Sequence, residues 1–380
     1  MTLLAGGRVV VPDRVLDPGW VEVAGGRLTG IGDGAPPAPV DVDLTGLTVV
    51  PGFIDMHVHG GAGGSFTSAA LDEVSAAVAM HRRHGTTTTL ASLITASPAE
   101  LERAVSALSD LVLDGLLAGV HLEGPWLSPA HRGAHDPVLL RPPEGAEVQR
   151  LLHRARGTVR MVTLAPELPG GITAVRQLVE AGVVAAVGHT DATYAQTRQA
   201  IAAGATVGTH LFNAMRPLQH REPGPVLALF EEPQTTVELI ADGVHVHAAV
   251  LRHVIGTVGP DRFALVTDAM AAAGVGDGDY RLGDLAVVVT GGVARLVAGG
   301  AIAGSTLTMD AAFRHAVFEC GVPLEAAARM AATTPARVLG LTGRGSLQAG
   351  YHADLVVLSG DLQVHAVMAG GSWVAGAGSG

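Results

Sequence analysis

The sequence predicts an α/β protein, a (β/α)8 barrel of the TIM type joined to a small β-sandwich domain that both chain ends build. Three observations carry this. Apolar strand-like runs alternate with Ala-rich helical stretches through the middle of the chain, the order that implies a parallel sheet. Eight such runs can be counted, and the two ends differ from them, with short Val and Leu runs broken by Gly, Asp and Pro turns. At 380 residues the chain suits a barrel of about 250 residues plus a smaller companion. The β-domain is thus expected from residues 1–50 and 341–380, and the barrel from 51–340.

Taken in order, LLAGGRVVVPDR, WVEVAGGRLTGIG and DVDLTGLTVV read as hairpins that are too small to form a core alone. Barrel strands are expected at 50–57, 86–95, 118–123, 159–165, 183–189, 205–211, 235–242 and 262–268. Helical stretches such as SPAELERAVSALSD and ITAVRQLVEAG fall between them, several ending in Gly as helix C-termini do. After the eighth strand, YRLGDLAVVVTGGVARLVAGGAIAGS reads as an inserted hairpin with turns at TGG and AGG. MDAAFRHAVFEC, LEAAARMAA and TPARVLGL are helical by period. ADLVVLSG, LQVHAVMAG and SWVAGAG return to strands, and AGAGSG reads as a frayed end.

Composition narrows the partners. A net charge of −11 with no basic cluster gives no footprint for nucleic acid, so a small molecule is expected instead. No run of 18 strongly apolar residues is present, so no membrane segment is expected. The start, MTLLAGGRVVV, lacks the features of a secretory leader and reads as a strand, which makes a cytoplasmic location the expectation. The single Cys320 excludes an internal disulfide framework and is expected to be a buried, inert thiol. There is no lysine among the 24 basic residues. Schiff-base chemistry and a metal site bridged by a carboxylated lysine are therefore excluded.

The candidate functional residues share one position, the trailing end of an apolar run. His57 and His59 close VVPGFIDMHVHG, Glu123 closes AGVHLEGPW, His189 closes VVAAVGHTD, His210 closes ATVGTHLFNAM and Asp268 closes FALVTDAM. Barrels place their chemistry at the carboxyl ends of strands, and imidazoles with carboxylates gathered there suit a divalent-metal hydrolase. His57 and His59, one residue apart, point to the same face if they lie on a strand. Glu123, His189 and His210 would make a His2Glu site with a position open for water, the set that catalytic zinc prefers. Asp268 is the candidate proton shuttle, with a helix N-cap as the alternative. His135, in HRGAHDP, is placed to steady an oxyanion, while His131 and His153 nearby read as solvated. Arg221 in HREPG, and His245 and His247 in GVHVH, are cationic groups suited to an anionic substrate, with surface pairing as the alternative.

PGFIDMHVHG, HLEGPW, GAHDP, GHTDA, THLFNAM, REPG, DGVHV, VTDAM and AGSTLTM, in this order and nearly end to end, resemble the N-acetylglucosamine-6-phosphate deacetylases of the amidohydrolase superfamily. The resemblance implies a homodimeric barrel enzyme that hydrolyses the acetamide of a sugar phosphate, with a divalent metal, zinc above all, at one or two ions per subunit. It implies Glu123, His189 and His210 as principal metal ligands, Asp268 as acid/base and His135 as the carbonyl contact. It also implies Arg221, reaching across the dimer, and His245 on the phosphate, with Asn213 and Ala214 on the sugar phosphate. Because both strand-one histidines are kept, a second ion site of His57, His59, Glu123 and Asp268 is open. The galactosamine epimer is the alternative substrate, and a non-catalytic sugar-phosphate binder the alternative from another class.

Overall fold

The computed structural model describes residues 1–376. Its centre is a run of eight parallel strands in chain order: β1 (Phe53–Asp55), β2 (Thr86–Leu93), β3 (Gly119–Glu123), β4 (Val159–Leu164), β5 (Val184–Val187), β6 (Val207–Gly208), β7 (Thr236–Ile240) and β8 (Phe263–Val266). Seven helices return the chain between them: α1 (Leu71–Arg83), α2 (Pro98–Leu113), α3 (Gly145–Ala155), α4 (Gly171–Glu180), α5 (Tyr194–Ala202), α6 (Gly224–Glu231) and α7 (Ala248–Val258). An eighth, α8 (Met309–Phe318), follows the insertion after β8. Local sequence sets several of these boundaries. Ser97 and Glu100 form a reciprocal cap on α2 with Pro98 at its first position, and Thr193 with Gln196 does the same for α5. Every residue of β2 is buried, as in a sheet covered on both faces. Phe53 of β1 stacks on Phe313 of α8 at 5.3 Å, both fully buried, tying the last helix to the first strand.

The barrel is not closed by a ladder, because β8 and β1 do not pair. Point contacts bridge the gap. The Asp268 N–H donates to the His57 carbonyl at 2.8 Å, and the His59 N–H donates to the Ala269 carbonyl at 2.8 Å. The Thr267 hydroxyl donates to the buried Asp55 carboxylate at 2.5 Å. Burial pushes the Asp55 carboxyl up to about 7, against that hydrogen bond.

The two chain ends share one sheet, in the order Ser372–Ala375, Val364–Ala369, Leu355–Leu358, Thr48–Pro51, Thr2–Val10, Val15–Ala24, Arg27–Asp33. The two halves meet where Leu355–Leu358 runs antiparallel to Thr48–Pro51, and the sheet covers a separate core that includes Leu4, Val21, Leu28 and Leu355. The run expected as one strand at 50–57 is split. Thr48–Pro51 belongs to this sheet, Phe53–Asp55 to the barrel, and Gly52 is the joint. A Cβ at Gly52 would stand 2.3 Å from Thr87 Oγ1, so only glycine passes there.

The expected hairpin after β8 is a three-stranded sheet, Gly278–Leu282, Leu285–Thr290 and Val293–Leu296. The expected frayed end falls largely on residues 377–380, which lie outside the described residues. Cys320 is buried, as expected.

Candidate metal centre

Apart from Glu123, the last residue of β3, the ligand candidates lie just beyond the strands rather than on them. His189, His210 and Asp268 follow β5, β6 and β8 in left-handed backbone, with φ of 47°, 25° and 51°. For non-glycine residues this costs about 1–3 kcal/mol each, strain of the kind stored at functional sites. His57 and His59 do not occupy alternate positions on a strand, since β1 stops at Asp55. The irregular segment after it nonetheless brings their Nε2 atoms to 3.2 Å.

Glu123, at the end of β3, is the hub. Its Oε1 lies 3.0 Å from His189 Nε2 and 2.9 Å from His210 Nε2, and these two nitrogens are 3.1 Å apart. Its Oε2 lies 3.2 Å from His59 Nε2 and 3.3 Å from His135 Nε2. Asp268 Oδ1 is 3.1 Å from His59 Nε2 and 3.5 Å from His57 Nε2. All of these side chains are buried. Imidazole nitrogens about 3 Å apart, aimed at each other and at carboxylate oxygens, form a donor set that converges on a shared cation.

The far side of each ring tests that fit. His189 Nδ1–H donates to the His131 carbonyl at 2.9 Å, His59 Nδ1–H to the Ser92 carbonyl at 3.2 Å, and His57 Nδ1–H to Glu238 Oε2 at 3.0 Å. These partners accept only, so the proton sits on Nδ1 and the Nε2 lone pair faces the cluster, as metal ligation requires. His210 Nδ1 is buried with no partner among the described residues. His135 is wired the opposite way. The Thr95 N–H donates to its Nδ1 at 3.3 Å, with the Thr95 hydroxyl 2.8 Å away, which leaves the proton on Nε2. His135 thus presents a donor to the cavity although its distances would also allow ligation.

Electrostatics point the same way. Burial opposes charge on all of these groups, yet Glu123 and Glu238 hold the His57 imidazole well above its ordinary value, and Asp268 with Glu123 raises His59 to about 9. The facing histidines hold Glu123 and Asp268 below the usual carboxylate range, again against burial. The cluster is a trap for positive charge.

A cavity of about 360 Å³ opens above it, lined by Glu123, His189, His210, His59, Asp268 and His135 at its floor and by His131, Asn213, Ala214 and His245 around them. Against burial, the Asp242 carboxylate at 2.6 Å holds His245 above its ordinary value. The Asn213 amide donates to the His210 carbonyl at 3.2 Å. The inserted sheet reaches over the mouth through Leu282, and a neighbouring cavity of about 260 Å³ beneath it contains none of the ligands.

The structure departs from the sequence reading at His247 and His131. His247 caps α7 by accepting from the Ala249 N–H and does not face the cavity. His153 sits in the last turn of α3, away from the centre. Arg221 is exposed and outside the cavity of its own chain. His131, read as solvated, lines the cavity, pairs with Asp191 at 3.0 Å and holds His189 through its carbonyl. Sequence reasoning missed Glu238 and His121. His121 is wholly buried beneath His57 with ring centroids 4.6 Å apart, and is held by Ser92 and Thr163. A charged residue inside the apolar TVELI was the available signal for Glu238.

An (β/α)8 barrel with this centre at the carboxyl ends of its strands defines a metal-dependent hydrolase. The chain belongs to the amidohydrolase family, whose model matches residues 48–374. It is 38% identical to the N-acetylgalactosamine-6-phosphate deacetylase of Escherichia coli O157:H7, over 98% of each chain. It is 33% identical to the N-acetylglucosamine-6-phosphate deacetylase of Bacillus subtilis (strain 168), over 94% of this chain and 92% of that one. A mutant N-acetyl-D-glucosamine-6-phosphate deacetylase from Mycobacterium smegmatis, solved in complex with N-acetyl-D-glucosamine-6-phosphate, matches with a TM-score of 0.97 and 56% identity over 98% of this chain and 99% of that one. The resemblance read from the motifs is borne out. Among the described residues, no helix is long and apolar enough to cross a membrane.

Proposed function

We infer that the protein hydrolyses the acetamide of N-acetyl-D-glucosamine 6-phosphate to D-glucosamine 6-phosphate and acetate. The observation that carries this is the match, at 56% identity over nearly the whole chain, to a deacetylase holding that sugar phosphate. The proposed ligands are Glu123, His189 and His210 for one ion and His57, His59, Glu123 and Asp268 for a second. Zn²⁺ is the proposed ion, because neutral imidazoles and carboxylates are its usual donors. A divalent cation held there lowers the pKa of water toward about 7 and polarises a carbonyl.

The remaining steps belong to the chain. Asp268, ionised and open to the cavity, takes the proton of the attacking water and passes it to the departing nitrogen. His135 Nε2–H donates to the carbonyl oxygen as charge gathers on it. Asn213, Ala214 and His245 receive the sugar phosphate at the wall. Arg221 completes the phosphate clamp from a second subunit of a homodimer, a role that rests on the motif resemblance. The barrel at 51–340, the β-domain from both ends and a cytoplasmic location complete the proposal.

Acetate release from N-acetylglucosamine 6-phosphate and its galactosamine epimer, with and without the phosphate, tests it. The 38% identity to a galactosamine enzyme over the full chain is the reason to assay both epimers. A clear preference for the galactosamine compound, or indifference to the phosphate, would overturn the assignment.

A further inference from the structure

Glu238 touches two of the ligands without facing the cavity. It stands in β7 and is wholly buried. Its Oε2 accepts the His57 Nδ1–H at 3.0 Å and lies 3.4 Å from the His210 N–H, where φ is 25°. Its other oxygen has no partner among the described residues. A buried carboxylate is costly unless positive charge lies close. The chain has no lysine, and the ion pairs made by Glu123, Asp268 and Glu238 among the described residues are all to histidines.

We propose that Glu238 is a positioning residue that reserves His57 Nε2 for a metal ion. By accepting the Nδ1 proton it fixes the His57 tautomer, so the lone pair of Nε2 points at His59 and Asp268. This rests on the reading of the cluster as a metal centre.

The test is titration of the metal-free protein with Co²⁺, followed by visible absorbance and calorimetry, in wild type, Glu238→Gln and Glu238→Ala. Wild type is expected to take two ions. In Glu238→Gln the first ion should bind within about twofold of wild type, and the second about 10- to 100-fold more weakly, the range seen when a ligand's outer partner is changed. Glu238→Ala, which can no longer accept the Nδ1 proton, should be the weaker of the two variants. The melting temperature separates positioning from a merely structural role. Positioning lowers only the gain that Co²⁺ brings, whereas a structural role lowers the metal-free protein as much. If the second ion bound Glu238→Gln as tightly as wild type, or both ions were lost in parallel, the proposal would be overturned. A wild type that never takes a second ion would instead remove the two-ion reading on which it stands.

Discussion

The wiring of His135 separates two chemistries that its distances alone do not, and removing the side chain tells them apart. With the Thr95 N–H donating to Nδ1, the proton rests on Nε2, which makes His135 a donor to the developing oxyanion and not a ligand. Loss of one aligned oxyanion donor lowers kcat by about 10²- to 10³-fold, some 3–4 kcal/mol, with KM little changed because the interaction strengthens only as charge develops. His135→Ala should therefore show that fall while keeping its full complement of metal. Thr95→Val gives the companion result. It deletes the hydroxyl at 2.8 Å and leaves the backbone donor that sets the tautomer, so kcat should fall by less than about tenfold, the worth of one neutral hydrogen bond. Steady-state acetate release with metal analysis of the purified variants reads both quantities. A His135→Ala protein that emerges one ion short would make His135 a ligand and refute the tautomer argument.

Asp268→Asn should lower kcat by about 10²- to 10⁴-fold while still binding the phosphorylated sugar, measured by calorimetry, because it removes the proton carrier and spares the wall. His81 donates to the Gly60 carbonyl at 2.9 Å and is pushed down to about 4 by burial. The unfolded chain therefore binds a proton between about pH 6.5 and 4 that the native state refuses, so stability is full above that window and falls through it by about 3 kcal/mol. His81→Gln should flatten that part of a denaturation-versus-pH curve, and an unchanged slope would mean His81 is not the group responsible. Phe313→Ala removes the ring stacked on Phe53 and should cost about 3–5 kcal/mol in chemical denaturation, with kcat per folded molecule unaltered.

The barrel was legible because its signals are periodic and repeated. A strand at 159–165 followed by ITAVRQLVEAG needs no tertiary knowledge, and the structure has Val159–Leu164 and Gly171–Glu180 there. The ligands were legible for a related reason, since a histidine or carboxylate that ends an apolar run has nowhere to go except the mouth of the barrel. What was hidden depends on geometry between distant segments. That Val207–Gly208 is the whole of β6, and that His210 turns inward only through a left-handed residue, follows from packing rather than from composition. Glu238 was passed over because one acid in TVELI gains meaning only when His57 arrives beside it. His247 and His245 look equivalent in GVHVH, yet one caps a helix and the other faces the cavity, a distinction set by where α7 begins.

The unladdered gap between β8 and β1 has a mechanical consequence. Asp268 stands on one lip of that slit, and His57 and His59 on the other, so these three residues, if they held an ion, would tie the two lips together. Stripping the metal should leave a wall that gapes along this one slit, and the Asp268 amide should exchange with solvent deuterium well before its neighbours in the sealed part of the barrel.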